Sequence, residues 1–171
     1  MIDMKNHFHL QPGEIFVSNK GMTIATVLGS CVAVCLWDRV QHIGGMNHVV
    51  LPKNRDDEPP TSRFANVATF VLYDMMMEEG CKKNNLVAQV FGGANRLAAQ
   101  IGAKAAGFNI GELNLEITLK VLQKLGLPVV HRDCGGPEGR KILFDTKTGE
   151  IEMNMLHRFD FDQERQIISN A

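Results

Sequence analysis

The chain has almost no net charge, no long apolar run and few cysteines, and each shortage excludes a class of protein. Its 18 Lys and Arg residues nearly balance 19 Asp and Glu residues, so no long-range positive field attracts nucleic acid or anionic lipid. No stretch approaches the roughly 18 apolar residues of a membrane-spanning helix, and the first residues lack the apolar core of a signal peptide. We therefore expect a cytoplasmic protein that neither binds nucleic acid nor inserts into a membrane.

The few cysteines of the chain are not expected to form a disulfide framework, because we expect the protein in the cytosol. The chain has four cysteines: Cys31, Cys35, Cys81 and Cys134. In the cytosol these are expected to be reduced thiols, and a buried cysteine is most simply a small hydrophobic residue. Cys31 and Cys35 could share a metal ion with His42 or His48. However, residues four apart on a strand are separated by roughly 13 Å, which is too far for one zinc ion, so we expect no metal.

The remaining composition is that of an ordinary globular protein, with 44% hydrophobic and 22% charged residues among 171. A chain of this length is most simply one domain. We expect that domain to span residues 1–171, with its core over about 10–157 and a C-terminal extension over 158–171.

Strands outnumber helices in the pattern, and they occur in runs at both ends of the chain. Strands are predicted over 14–18, 22–27, 31–37, 41–51, 86–91, 129–132, 141–145 and 150–156. One helix is predicted from a cap at Thr61 or Ser62 to Gly80, and another over 110–125 with four leucines inward. Residues 95–106 are helical by propensity alone. Runs of strands with few helices favour an α+β fold, a layered α/β sandwich with a mixed, largely antiparallel sheet.

The most informative motif is a cysteine held behind a Gly-Ser turn and followed by a histidine on the next strand. Cys31 follows Gly29 and Ser30, and His48 stands further along the chain. Glycine permits backbone conformations that other residues avoid, and a tight turn can leave amide N–H groups unpaired. Such groups beside a thiol would form an oxyanion hole and lower the pKa of the thiol. The pair could then attack a carbonyl carbon.

The hairpin geometry supports this pair over a merely structural histidine. If the predicted strands 31–37 and 41–51 fold about a two-residue turn at 39–40, Cys31 lies directly opposite His48. His42 is a weaker partner for the thiol, because the same register places it at the other end of the hairpin.

Five segments, spread in order over about residues 10–157, carry a family resemblance. They are 26–34 (TVLGSCVAV), 45–52 (GMNHVVLP), 91–95 (FGGAN), 109–114 (NIGELN) and 133–140 (DCGGPEGR). Together they resemble the CheD family of chemoreceptor glutamine deamidases. The resemblance implies that Cys31 is the nucleophile and His48 the base. It also implies a third residue, a threonine upstream of the cysteine, for which Thr26 is the nearest match and Thr23 the alternative.

The resemblance further implies a function and a fold. The function is deamidation of glutamine side chains on methyl-accepting chemotaxis receptors through a thioester, without a cofactor, and it could extend to glutamyl methyl esters. The fold implied is similar to the catalytic domain of cytotoxic necrotizing factor toxins. The alternative function is a non-catalytic adaptor that binds receptors and a CheC-type phosphatase. Cys134 departs from the family pattern, either as a neutral packing substitution or as a second thiol near the pocket.

Overall fold

The structure is a computed structural model that describes residues 1–96 and 109–157. Its strands are β1 (His7–His9), β2 (Ile15–Ser18), β3 (Thr23–Leu28), β4 (Val32–Asp38), β5 (Ile43–Asn47), β6 (Leu86–Gly92), β7 (Val129–Cys134), β8 (Gly139–Asp145) and β9 (Ile151–Leu156). Its helices are α1 (Ala65–Glu78), α2 (Ile110–Leu125) and a 3-10 turn, Lys83–Asn85. The predicted helical segment 95–106 lies almost wholly outside the described residues, and the extension 158–171 lies wholly outside them.

The described strands form two mixed sheets, in the orders β1-β3-β8-β9 and β2-β5-β4-β6-β7. The β1/β3 and β6/β7 pairs are parallel and the other pairs are antiparallel. The predicted α+β class and mixed pairing are therefore confirmed, although the strands divide into two sheets. None of the described helices is long and apolar enough to span a membrane.

The five-stranded sheet is the middle layer, with the other sheet on one face and the helices on the other. Alternating residues of β4 show this arrangement: Ala33 and Cys35 join a core cluster with Ile24 and Phe144 of the four-stranded sheet. Val34, like its alternate neighbours, instead packs in a cluster with residues of α1 and α2. Because both faces are buried, β4 is a nearly continuous apolar run.

The β4/β5 hairpin forms as predicted, but its register differs by two residues. Trp37 pairs with Gly44, where the predicted two-residue turn would pair it with His42. The connection is a four-residue turn, because the Asp38 carboxylate accepts the N–H groups of Val40 and Gln41 at 2.9 and 2.8 Å. Side chains alternate with period two, so a shift of two residues keeps each one on its predicted face.

The first predicted helix is present, but its predicted cap is wrong. Helix α1 follows Phe64, and no side chain caps its N-terminus. The Ser62 hydroxyl instead donates to the Gly13 carbonyl at 2.6 Å, which ties the preceding loop to the strand layer.

Helix α2 begins and ends where predicted. The Asn109 side chain accepts the Glu112 N–H, and Gly126 closes the helix in the left-handed conformation at φ 68°. The inward face was only partly predicted. The buried residues of α2 are Gly111, Asn114, Thr118, Val121 and Leu122, whereas three of the four expected leucines are only partly buried.

Candidate active site

Three side chains from different segments lie at one end of the space between the two sheets. Thr26 is on β3, Cys31 stands one residue before β4, and His48 stands one residue after β5. Thr26 and His48 are buried, and Cys31 is half-buried. Backbone hydrogen bonds from Val32 to Val49 (3.0 Å) and back (2.7 Å) hold the cysteine and histidine segments together.

Cys31 and His48 are diagonal neighbours on one face of the sheet rather than directly opposite each other. The bridge pairs Val32 with Val49, and continuing that antiparallel register sets Cys31 two positions from the place opposite His48. Diagonal neighbours in such a pair have Cα atoms roughly 7–8 Å apart, within reach of long side chains and of a ligand between them. The predicted direct opposition is therefore wrong, yet the two residues do share a face.

The hydrogen bonds of Thr26 determine the tautomer of His48. Its Oγ1 lies 2.8 Å from the Leu10 carbonyl oxygen and 2.8 Å from His48 Nδ1. A carbonyl only accepts, so the single hydroxyl proton goes to Leu10, and Thr26 must accept the proton carried by Nδ1. The other ring nitrogen, Nε2, is then left with its lone pair. Thr23, the alternative threonine, donates instead to the Asp3 carbonyl at 2.7 Å.

Burial shifts the pKa values of the cysteine and the histidine apart. Desolvation lowers the pKa of His48 to about 4, with a smaller contribution from the nearby charge of His9. Desolvation also raises the pKa of the Cys31 thiol to about 11. The expected lowering of the thiol pKa is therefore wrong, because the loss of water around the thiolate dominates. At neutral pH the resting pair is a thiol and a neutral imidazole.

The turn at Cys31 has two backbone donors without an acceptor among the described residues. Residues 29 and 30 form a bend between β3 and β4. Its carbonyls are used, since Gly29 accepts the Ala94 N–H at 2.9 Å and Cys31 accepts the Gly93 N–H at 2.8 Å. Within residues 1–96 and 109–157, no acceptor takes the N–H of Ser30 or of Cys31. These N–H groups can bind an oxyanion.

The glycine that this turn requires is on the neighbouring strand rather than at Gly29. Gly29 has no positive φ, and a Cβ there would meet nothing within 4 Å. Gly92 has φ 106°, and a Cβ there would collide with the Cys31 carbonyl oxygen. The predicted reason for Gly29 is therefore wrong, and Gly92 is what lets β6 approach the cysteine closely.

Comparison with known proteins identifies the family. The model of the family described as CheD chemotactic sensory transduction matches residues 50–155. The chain is 42% identical over 148 residues, covering 86% of itself and 84% of the relative, to the probable chemoreceptor glutamine deamidase CheD 1 of Anaeromyxobacter dehalogenans. This chain belongs to the CheD family.

Two further CheD relatives agree. Identity is 41% to the probable chemoreceptor glutamine deamidase CheD of Trichlorobacter lovleyi, over 84% of this chain and 87% of that one. The CheD of the same description from Sulfurimonas denitrificans is 35% identical over 90% of this chain and 96% of its own. That alignment leaves out only about a tenth of this chain. It therefore extends over residues 26–48, the segment that contains Thr26, Cys31 and His48.

Solved structures were also matched, one of them from Bacillus licheniformis. The crystal structure of the Bacillus licheniformis hypothetical protein YfiH overlaps with a TM-score of 0.39 at 14% identity, covering 68% of this chain and 49% of that chain. A likeness of this size carries no argument about the fold or function of a CheD protein.

The remaining cysteines lie away from this site. Cys134 donates its thiol to the Val90 carbonyl at 3.3 Å and packs against the helix-side core, on the face opposite Cys31. This placement favours the packing role over a second thiol in the pocket. Cys35 and Cys81 are buried. No group of three or more metal-binding side chains occurs in the part of the chain that the structure describes.

Asn114 is the residue of this region to which sequence reasoning assigned no role, although it ends the family segment 109–114. It lies on α2, is fully buried, and its Nδ2 donates to the carbonyls of Ser30 and Val50 at 3.0 Å each. The available signal was the spacing of Gly111, Asn114 and Thr118, which places small and polar residues on one helix face. The leucines drew attention to the adjacent face instead.

Proposed function

We propose that this CheD protein is a protein-glutamine deamidase that acts on methyl-accepting chemotaxis receptors and uses Cys31 as its nucleophile. The observation that carries the proposal is the Leu10–Thr26–His48 hydrogen-bond chain, which leaves His48 Nε2 unprotonated, with Cys31 on the same face of the sheet. The CheD relatives, which carry the printed name of chemoreceptor glutamine deamidases, supply the substrate class.

The first step joins proton transfer to attack. As Cys31 Sγ attacks the carbon of the glutamine carboxamide, His48 Nε2 takes the thiol proton. The carboxamide oxygen becomes an oxyanion, which the free N–H groups of Ser30 and Cys31 bind. Because both groups are neutral at rest, His48 acts as a general base during attack, without a preformed thiolate.

The remaining steps return the enzyme to its starting state. The imidazolium gives its proton to the departing nitrogen, ammonia leaves, and a thioester joins the substrate acyl carbon to Cys31 Sγ. His48 then takes a proton from water as the water oxygen attacks the thioester. The C–S bond breaks, the thiol regains its proton, and a glutamate side chain is released.

The pH dependence of kcat/KM reports the lowered pKa of His48. A pKa of about 4 keeps the imidazole neutral at every higher pH, so kcat/KM is expected to stay flat from about pH 5.5 to 8 and to fall only below about pH 5. Initial rates of ammonia release across that range measure it. An acid limb centred near the ordinary histidine value of 6.5 would contradict the buried, neutral base.

Thr26 is expected to act through His48 rather than on the substrate. Thr26→Val removes the acceptor for Nδ1–H and leaves the ring free to change tautomer, so kcat should fall by about 10- to 100-fold, the worth of one buried hydrogen bond. Thr26→Ser keeps the hydroxyl and should retain most of the rate. Equal kcat values for Thr26→Val and Thr26→Ser would contradict a role for the Thr26 hydroxyl in the reaction. Thr23→Val, on the same strand, is the matched control.

The proposed activity is tested with a receptor cytoplasmic domain co-expressed with this protein. Mass spectrometry of receptor peptides should reveal specific Gln-to-Glu conversions, with release of ammonia in the purified reaction. A receptor that stays fully amidated in the presence of folded protein would contradict the proposal. Binding to the receptor without conversion would instead favour the adaptor alternative.

Finer parts of the proposal follow from the family resemblance. We propose a cytoplasmic location, a CheC-type phosphatase as a second partner, and an architecture like that of the cytotoxic necrotizing factor catalytic domain. Hydrolysis of glutamyl methyl esters would use the same thioester.

A further inference from the structure

One buried amide joins the two halves of the proposed active site. Asn114 Nδ2 donates both of its protons at 3.0 Å, one to the Ser30 carbonyl and one to the Val50 carbonyl. Ser30 precedes Cys31, and Val50 stands two residues after His48. A single side chain therefore bonds to both the cysteine segment and the histidine segment, which the Val32–Val49 backbone hydrogen bonds already hold together.

The bond to Ser30 also orients a backbone donor. The Ser30 carbonyl and the Cys31 N–H belong to one planar trans peptide unit, in which the two groups point in opposite directions. Helix α2 packs on the helix side of the middle sheet. When Asn114 holds the carbonyl toward that side, the Cys31 N–H is directed away from it, toward the face that bears the Cys31 and His48 side chains.

The helix that carries Asn114 is itself anchored to the same turn. A Cβ on Gly111 would lie 2.6 Å from the Ala94 carbonyl oxygen, so the first turn of α2 lies directly against residues 93 and 94. The N–H groups of those residues in turn bond to Gly29 and Cys31. Helix α2 therefore contacts the turn in two ways: through the Asn114 side chain, and through its own first turn, which lies against residues 93 and 94.

Asn114 does not resemble a residue kept for stability alone. Its Oδ1 is buried without a partner among the described residues, and an unsatisfied buried acceptor destabilises a fold. A leucine of similar size would avoid that cost. What the amide provides in return is its pair of donors.

We propose that Asn114 is a positioning residue that aims the Cys31 N–H at the oxyanion of the deamidation reaction. The proposal rests on the proposed function and deepens it. Asn114 touches neither substrate nor thiol, and it acts only through the peptide bond between Ser30 and Cys31.

The test compares two reactions of the same thiol in Asn114→Leu and Asn114→Ala. Deamidation passes through an oxyanion, so kcat should fall on the order of 100-fold, as for loss of one oxyanion donor, with KM nearly unchanged. Alkylation of Cys31 by iodoacetamide is a displacement at saturated carbon and forms no oxyanion. Its rate, followed by mass spectrometry of the Cys31 peptide at fixed pH, should match that of the wild-type protein. If Asn114→Leu fails to fold, Asn114→Ala still removes the two donors without adding bulk.

Two neighbours on α2 provide matched controls. Val121→Ala shortens a buried side chain and lowers stability without touching Ser30. Thr118→Val replaces a buried hydroxyl that has no partner among residues 1–96 and 109–157. Both should keep the wild-type kcat after thermal melts have confirmed folding.

Three outcomes would overturn the positioning role: an unchanged kcat in folded Asn114 variants, a parallel fall in alkylation, or an equal loss of kcat in Val121→Ala at matched stability. Failure of the wild-type protein to deamidate any receptor peptide would instead contradict the proposed function itself.

Discussion

Cys31→Ala is expected to reduce deamidation of receptor glutamines to the assay background while leaving the fold intact. The change removes only the Sγ atom, and the residue is half-buried at the end of the inter-sheet space, so little packing is lost. Without Sγ no thioester can form, and the oxyanion donors and His48 alone cannot supply a nucleophile of comparable strength. Mass spectrometry of receptor peptides measures the loss, and a thermal melt confirms the fold.

Cys134→Ala is the matched control for this experiment. Its thiol has the same pKa of about 11, again raised mainly by burial, and it is also half-buried, but it lies on the helix-side face. We expect wild-type deamidation from this variant. Full activity in Cys31→Ala would remove Cys31 as the nucleophile. An equal loss in both variants would indicate damage to the fold instead.

The elements that the sequence predicted well are those whose signals are local. Helix α2 was predicted to the residue because a capping Asn109 and a left-handed Gly126 mark its ends. Strand β1 was missed because it has three residues and is held by parallel pairing with β3. The hairpin register was missed for a different reason: the length of its turn depends on the side chain of Asp38, which a periodicity pattern does not represent.

The candidate site was predictable in its residue types but not in its electrostatics. Cys31 and His48 stand out through their neighbours, and the family resemblance adds a threonine. The choice between Thr26 and Thr23 depends on which face of β3 turns inward, and the pKa values depend on burial by distant strands. Asn114 was missed because both of its acceptors are backbone carbonyls more than sixty residues away.

His48→Gln is expected to lower kcat by on the order of a thousandfold or more. Glutamine has a similar size and can still donate to Thr26, but it cannot take the thiol proton, and general-base catalysis of this kind contributes roughly 10²- to 10⁴-fold. The rate of ammonia release measures the loss. His42→Asn is the control, because His42 lies in the four-residue turn with φ 56°, a conformation that asparagine tolerates.

The same variant separates a base from a structural histidine through the pH dependence of stability. The pKa of His48 is lowered from 6.5 to about 4 on folding. Between these two pH values His48 is therefore mostly protonated in the unfolded chain and mostly neutral in the folded protein. Its contribution to stability is therefore complete above pH 6.5 and lost as the pH falls toward 4, by about 3 kcal/mol in total. Denaturant melts should show that loss in the wild-type protein and a shallower one in His48→Gln. A variant with normal deamidation but a flattened stability profile would leave His48 as a buried structural residue. If His48 is a general base that is neutral at rest, His48→Gln should show both a loss of deamidation and a flattened pH dependence of stability.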